Sequence, residues 1–230
     1  MATFYGLGVG PGDRELVTIK AVNVLKNIDV LIIPTTKNGK SVAYDITKDY
    51  VNPDAKLHPM DFPMVRDHEA YAQNGWEAAK VVMAYLHEGK DVAFITIGDP
   101  TLYSTYGYIL KGLSEDVEVV TVPGVPSFCA CAAASNTMLC EREETLTILP
   151  TIRDEASIAK VGEMADNLVF MKVAKHGHKL EGVLKSRDHV FVAQCGHEDE
   201  VIAINDMDAI VQNDKYLATV IAKRGDRNAR

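Results

Sequence analysis

The chain has 230 residues, of which 47% are hydrophobic and 24% charged, a composition that supports a packed core and excludes a disordered chain. Its 24 lysines and arginines stand against 32 acids, a balance of −8 that disfavours non-specific binding to nucleic acid. No apolar run approaches the roughly 20 residues needed to cross a bilayer, and the N-terminus carries no basic leader, so the expectation is a soluble, cytoplasmic globular protein.

Residues 3–9 form a short apolar strand that ends in Gly6-Leu7-Gly8-Val9-Gly10-Pro11-Gly12-Asp13. From 15 to 26, Leu16, Ile19, Val22 and Leu25 recur at helical spacing, with Asp13 placed to cap the start. Residues 29–34 read as a buried strand and 41–50 as a second helix. A long helix is predicted over 67–88, with Trp76, Ala79, Met83 and Leu86 on one face and Gly89 as its stop. Residues 91–97 are the clearest strand, continuous and rich in β-branched side chains. A helix over 106–113 and a strand over 117–122 follow. This alternation predicts a mainly parallel sheet covered on both faces.

The pattern breaks at Val122-Pro123-Gly124-Val125-Pro126, which reads as a rigid linker. Beyond it come a helix of small residues over 127–135 and strands near 145–149, 168–172, 189–195 and 217–222, with helices between. The expected organisation is therefore two α/β domains with mainly parallel or mixed sheets, 1–121 and 122–230. Cys129, Cys131, Cys140 and Cys195 contain no C-x-x-C pair and read as buried free thiols.

Three constellations could carry chemistry. The opening glycines do not fit the dinucleotide fingerprint: a third glycine would fall on Pro11, Asp13 or Glu15 in the possible registers, and no Walker lysine follows. A nicotinamide oxidoreductase is therefore disfavoured, and the loop serves either close backbone approach to a ligand or a tight strand-to-helix turn. Gly98-Asp99-Pro100-Thr101-Leu102-Tyr103-Ser104-Thr105 lies at the carboxyl end of the clearest strand, where open α/β sheets place ligands. Asp99 there either accepts hydrogen bonds from a ribose or amino group or caps the next helix. Pro123-Gly124-Val125-Pro126-Ser127-Phe128 is either a hinge or a helix start able to hold a carboxylate.

Taken together, Gly8-Val9-Gly10-Pro11-Gly12-Asp13, Gly98-Asp99-Pro100 and Pro123-Gly124-Val125 resemble the tetrapyrrole (corrin/porphyrin) methylase family over nearly the whole chain. The resemblance implies S-adenosylmethionine as methyl donor, no protein-bound metal, a homodimer, and a ligand cleft between two α/β domains. Pro63-Met64-Val65-Arg66-Asp67, Trp76-Glu77-Ala78-Ala79 and Tyr103-Ser104-Thr105 are similar to the members that methylate C-20 of precorrin-2 or cobalt-factor II in cobalamin biosynthesis. Other members, acting at C-11 or C-17 or on diphthine, and a non-catalytic tetrapyrrole carrier are the alternatives. Matched position by position, the donor contacts fall on Pro11, Ile97, Gly98, Asp99, Leu102, Tyr103, Pro126, Ser127, Met171, Gly196 and Ala218. Pro126 stands where many members carry serine or threonine.

Methyl transfer from a sulfonium needs positioning and a dry site, without a metal or a covalent nucleophile. The acceptor carbon must lose a proton, for which Asp13, Tyr103, Tyr106 and His176 are conceivable bases. A polycarboxylate macrocycle also calls for cations, and Lys37, Lys40, Arg66, Arg153, Lys172, Lys175, His176, His178 and Lys179 are candidates. The last five could equally be a solvated face.

Overall fold

The computed structural model describes residues 2–36, 38–62, 68–152 and 154–225, with the side chains of 68–71 also left aside. Lys37, the 63–67 motif with Arg66, and Arg153 lie outside the described residues. The chain divides into two compact units, Met1–Pro126 and Ser127–Arg230.

The first unit is a five-stranded sheet made of β1 (Thr3–Gly8), β2 (Val30–Thr35), β3 (Lys56–Asp61), β4 (Val92–Thr96) and β5 (Glu118–Val122). The strand order is β3-β2-β4-β1-β5, and every pair is parallel. Side chains alternate between the faces, so each strand serves two cores. Leu7, Leu31, Ile33, Ala93 and Ile95 pack on one face with α1 (Ile19–Leu25) and α2 (Val42–Thr47). Phe4, Val30, Ile32, Val92 and Phe94 pack on the other with α3 (His68–His87) and α4 (Tyr106–Gly112). Coverage of both faces explains why β2 and β4 read as unbroken apolar runs. Gly6 has a packing role: a Cβ there would lie 2.2 Å from the buried Tyr106 ring, which stacks on Phe94 at 6.4 Å.

Three expectations are corrected here. Asp13 caps only a short 3-10 turn at Arg14–Leu16, accepting from Glu15 N, while α1 starts at Ile19 under a Thr18 cap. Val17 and Thr18 are extended and break the run, which leaves Ile19 79% exposed. On α3 the buried stripe is Gly75, Ala78, Ala79, Val82 and Tyr85, so Trp76 lies half-exposed beside it. Finally, β3 was unexpected, because its charged ends and Pro59 hide it. As an edge strand it pairs on one side only and tolerates the missing donor.

The second unit opens with α5 (Ser127–Ala134), followed by β6 (Leu146–Leu149), α6 (Glu155–Met164), β7 (Asn167–Met171), α7 (Glu181–Leu184), β8 (Arg187–Ala193), β9 (Val201–Ile204), α8 (Met207–Gln212) and β10 (Ala218–Arg224). The order is β6-β7-β10-β8-β9, with β6 and β7 parallel and the remaining pairs antiparallel. This sheet is mixed. Leu168, Phe170, Phe191, Val220 and Ala222 form its core with Ile158 of α6, Leu184 of α7 and Ile210 of α8. The short edge strand β9, with Val201, Ile202 and Ile204 exposed, was also not anticipated. The four cysteines are free, but only Cys131 and Cys195 are buried; Cys129 is half-buried and Cys140 exposed. Cys140 lies past the end of α5, between that helix and β6.

Candidate functional site

In the first unit the features singled out in the sequence converge at the carboxyl edge of the sheet. From β1 the chain turns towards β2 through α1, whereas from β4 it crosses β1 to reach β5 through α4 on the other face. The connections therefore diverge at the carboxyl ends of the neighbouring strands β1 and β4, the topology that opens a crevice for ligands. Val9 N donates to Thr96 O at 3.0 Å, and Gly98 N donates to Gly10 O at 2.8 Å, closing the floor between the two loops.

The glycines of this edge touch each other. A Cβ on Gly8 would lie 2.5 Å from Gly124 N and 2.6 Å from Gly98 O, and a Cβ on Gly124 would lie 2.2 Å from Gly98 O. Three backbones cross at distances that no side chain permits. The sequence left the opening glycines to close approach of a ligand or a tight strand-to-helix turn; the structure gives Gly8 a different use, backbone packing against Gly98 and Gly124.

Asp99 is buried, and both its oxygens are occupied. Oδ1 accepts from Thr101 N at 2.8 Å and from Thr101 Oγ1 at 2.5 Å, while Oδ2 accepts from Gly124 N at 3.0 Å. A buried carboxylate must be satisfied by hydrogen bonds, and here the protein satisfies it internally. The side chain binds protein donors on both oxygens and does not cap α4, whose preceding residue Thr105 makes no side-chain cap. Ser104 Oγ donates to Thr96 Oγ1 at 3.0 Å and accepts from Tyr106 N at 3.2 Å. Between these anchors Tyr103 has a φ of 52°, an outlier for a bulky residue, with its side chain 53% exposed beside the exposed Leu102.

Pro11 is buried in the first loop and Ile97 half-buried at the end of β4. Pro126 closes the first unit, and Ser127 is the first residue of α5. Met171, Gly196 and Ala218 come together at one edge of the second sheet, because β10 runs antiparallel to both β7 and β8. Met171 pairs with Thr219, Ala193 pairs with Ala218, and Gln194 N donates to Leu217 O at 2.7 Å. Non-glycine residues leave β7 and β8 in left-handed conformations, Lys172 at φ 57° and Gln194 at φ 51°. The Gly196 N–H is taken by Glu200 Oε2 at 2.7 Å. Gln194 Oε1 and His197 Nε2, flanking Gly196, are buried without a protein partner among the described residues. Buried polar atoms of this kind are met by a ligand or an ordered water.

The sequence did not single out Thr101, Ser104 and Thr96 as staples, Gly124 as the partner of Asp99, or the side chain of Gln194. Asp-Pro-Thr does carry a local signal, since aspartate commonly accepts from the backbone two residues on. The bond to Gly124, 25 residues away, has none.

Of the candidate bases, Tyr106 is excluded by position: it is 1% exposed, its hydroxyl pairs with Thr121 Oγ1 at 2.7 Å, and burial holds its phenol above the ordinary range. Asp13 is engaged in its turn, Tyr103 is exposed, and His176 is half-buried beyond β7. Lys172 Nζ lies 5.7 Å from the Tyr216 ring centroid, a cation–π contact at the same edge as Met171. Lys40, Lys175 and His178 are exposed. Cys131 and Cys195 are neighbours in the second unit: the Cys195 thiol is pushed up by the adjacent Cys131 sulfur and by burial, and the bond to Cys195 lowers Cys131 against its own burial. Among the described residues no group of three or more His, Cys, Asp or Glu converges as a metal site does, and no helix is long and apolar enough to cross a membrane.

Comparison with known proteins adds the following. The chain is 41% identical over 230 residues to a protein of Methanocaldococcus jannaschii described as a probable cobalt-precorrin-2 C(20)-methyltransferase, covering 97% of this chain and 96% of that one. It is 35% identical to the cobalt-precorrin-2 C(20)-methyltransferase of Salmonella typhimurium, over 78% and 76% of the two chains. A crystal structure of uroporphyrin-III C-methyltransferase from Thermus thermophilus, complexed with S-adenosyl homocysteine, shares the fold with a TM-score of 0.67 at 19% identity, over 96% of this chain and 92% of that one. Residues 3–211, a span that takes in the crossed glycines, the Asp99 loop, Met171 and Gly196, match the tetrapyrrole (corrin/porphyrin) methylases, and the chain belongs to that family of methyltransferases.

Proposed function

We propose that this protein transfers a methyl group from S-adenosylmethionine to C-20 of a precorrin-2-type macrocycle in cobalamin biosynthesis. The observation that carries the reading is the 41% identity, sustained over 97% of the chain, to a relative described by that reaction. The 35% identical relative carries the same description. The donor is supported by the family and by the S-adenosyl homocysteine named in the Thermus thermophilus structure.

The residues present fit such a donor. In the first unit, Pro11, the backbone of Ile97, Gly98 and Asp99, and the side chains of Leu102 and Tyr103 would hold it. Pro126 extends that set; in the second unit, taken by itself, Ser127, Met171, Gly196 and Ala218 are the matched positions. The unpaired Gln194 Oε1 beside Gly196 suits an amino group, because a buried carbonyl oxygen seeks a donor. The donor supplies an electrophilic methyl on a sulfonium, transferred in line when the acceptor carbon sits about 3 Å away. This chain contributes orientation. The stapled 97–104 loop fixes the backbone that faces the ligand, and Leu102 and Tyr103 keep the surroundings weakly polar, which favours dispersal of the sulfonium charge. Lys172 supplies positive charge for a macrocycle carboxylate. We further propose a cytoplasmic homodimer; four free cysteines fit a reducing compartment, and light scattering will read one chain mass or two.

The test is anaerobic incubation with S-adenosylmethionine carrying a carbon-13 methyl, with precorrin-2 and cobalt-factor II in separate tubes. Label at C-20 is expected, and the tube that responds identifies the natural acceptor. Label at another carbon refutes the C-20 assignment while keeping the donor, and binding of both ligands without label refutes catalysis in favour of a carrier.

A further inference from the structure

We infer that Asp99 is a positioning residue for donor binding: its carboxylate latches the Gly98–Tyr103 loop onto Gly124 and so sets the surface the donor meets. The inference rests on the reading that the donor is held at this sheet edge.

Three observations carry it. First, Asp99 is buried, at 8% exposure, and its carboxylate accepts from Thr101 N, Thr101 Oγ1 and Gly124 N, so both oxygens are held by the protein. Second, the two segments it joins also enclose the Gly98 carbonyl, which stands too close to Gly8 and Gly124 for either to carry a Cβ. Loss of the latch therefore frees a backbone crossing, in addition to a side chain. Third, Tyr103 keeps a left-handed φ of 52° although its side chain is half in solvent. A bulky residue stays there only when its surroundings over-determine it. The constraints are Leu102 N to Asp99 O at 3.2 Å on one side and Ser104 Oγ to Thr96 Oγ1 at 3.0 Å on the other. Asp99 thus holds the loop arranged before the ligand arrives, and ordering paid in advance is not charged against binding.

An amide cannot replace the carboxylate. The side chain introduced by Asp99→Asn would offer one acceptor and one donor where the structure needs acceptors on both sides, so either Gly124 N–H or the Thr101 donors would face an N–H. In Asp99→Asn, calorimetry is expected to show the dissociation constant of S-adenosylhomocysteine rising about 10- to 100-fold. The Gly124 amide should exchange faster with deuterium. Thr101→Val, which removes only the hydroxyl donor, is expected to weaken binding by about threefold to tenfold, and Thr101→Ser should restore it. Thr101→Val and Thr101→Ser decide the matter if Asp99→Asn does not fold. A purely structural role would lower the melting temperature and leave the affinity of folded protein unchanged. Affinity within about twofold of wild type in both Asp99→Asn and Thr101→Val, or in Thr101→Val alone if Asp99→Asn does not fold, overturns the inference. Failure of the wild-type protein to bind S-adenosylhomocysteine overturns instead the donor reading beneath it.

Discussion

Replacing Gly124 by alanine tests the crossing of three backbones directly. The added Cβ would stand 2.2 Å from Gly98 O, 2.7 Å from the Gly8 carbonyl carbon and 2.8 Å from Gly8 Cα. All three are backbone atoms, so no side chain can swing aside, and relief requires β1, the β4 loop or the linker to move by about 1 Å, since carbon and oxygen normally stand well over 3 Å apart. Overpacking of this kind costs about 1–3 kcal/mol. The same movement pulls Gly124 N away from Asp99 Oδ2, and a hydrogen bond to a charged group contributes about 1.5–3 kcal/mol. Together these predict a loss of roughly 3–5 kcal/mol. At about 2–4 °C per kcal/mol for a chain of this size, the melting temperature should fall by some 6–20 °C. The control is Gly107→Ala within α4, where a Cβ meets nothing within 4 Å. There the gain in helix propensity should stabilise by up to about 1 kcal/mol. Urea denaturation of both variants beside wild type measures the two effects. A Gly124→Ala protein within about 0.5 kcal/mol of wild type would show that the backbones are not in contact as described.

Arg187 is buried and donates to the carbonyls of Asp166, Gly162 and Ala165 at 2.5, 2.6 and 2.8 Å, capping the end of α6; Arg187→Met should cost about 3–5 kcal/mol in urea denaturation, with Arg187→Lys intermediate. Tyr106→Phe removes the bond to Thr121 and should cost about 1 kcal/mol at neutral pH. Because burial raises the Tyr106 phenol, its contribution is full below the ordinary tyrosine pKa of about 10 and is lost as pH rises through the folded value, so the variant should show a shallower alkaline loss of stability. Bonds from the Thr145 backbone and hydroxyl, with Arg224 nearby, hold the Asp166 carboxyl below the usual range. That stabilisation is present above the ordinary aspartate pKa of about 3.9 and is lost as pH falls through the folded value; Asp166→Asn should flatten the acid limb of the stability profile, and an unchanged limb would refute the assignment.

Much of the fold was legible because the information was local. The unbroken run of β4 announces burial on both faces, and Gly89 ends α3 at φ 76°. The errors have local causes too. The spacing of Leu16, Ile19, Val22 and Leu25 is helical in number, but extended Val17 and Thr18 cut it and leave Ile19 in solvent. Trp76 and Ala79 share a helix face by count, yet α3 buries the neighbouring stripe, because the sheet and α4 choose which face is covered.

The ordered set of short motifs was enough, by itself, to place the chain among the tetrapyrrole methylases, since glycine, proline and aspartate at turns are constrained by backbone geometry that sequence displays. What each motif residue does was decided only by the tertiary structure. Gly8 and Gly124 are glycines because their backbones crowd the Gly98 carbonyl, Gly98 itself holds a φ of 73°, Asp99 is an aspartate because Gly124 stands opposite it, and Tyr103 is strained because the loop is stapled on both sides. The contacts of Gly124 with Gly8 and with Asp99 join distant segments brought near by parallel strand pairing, and such pairing leaves no periodic mark on the chain.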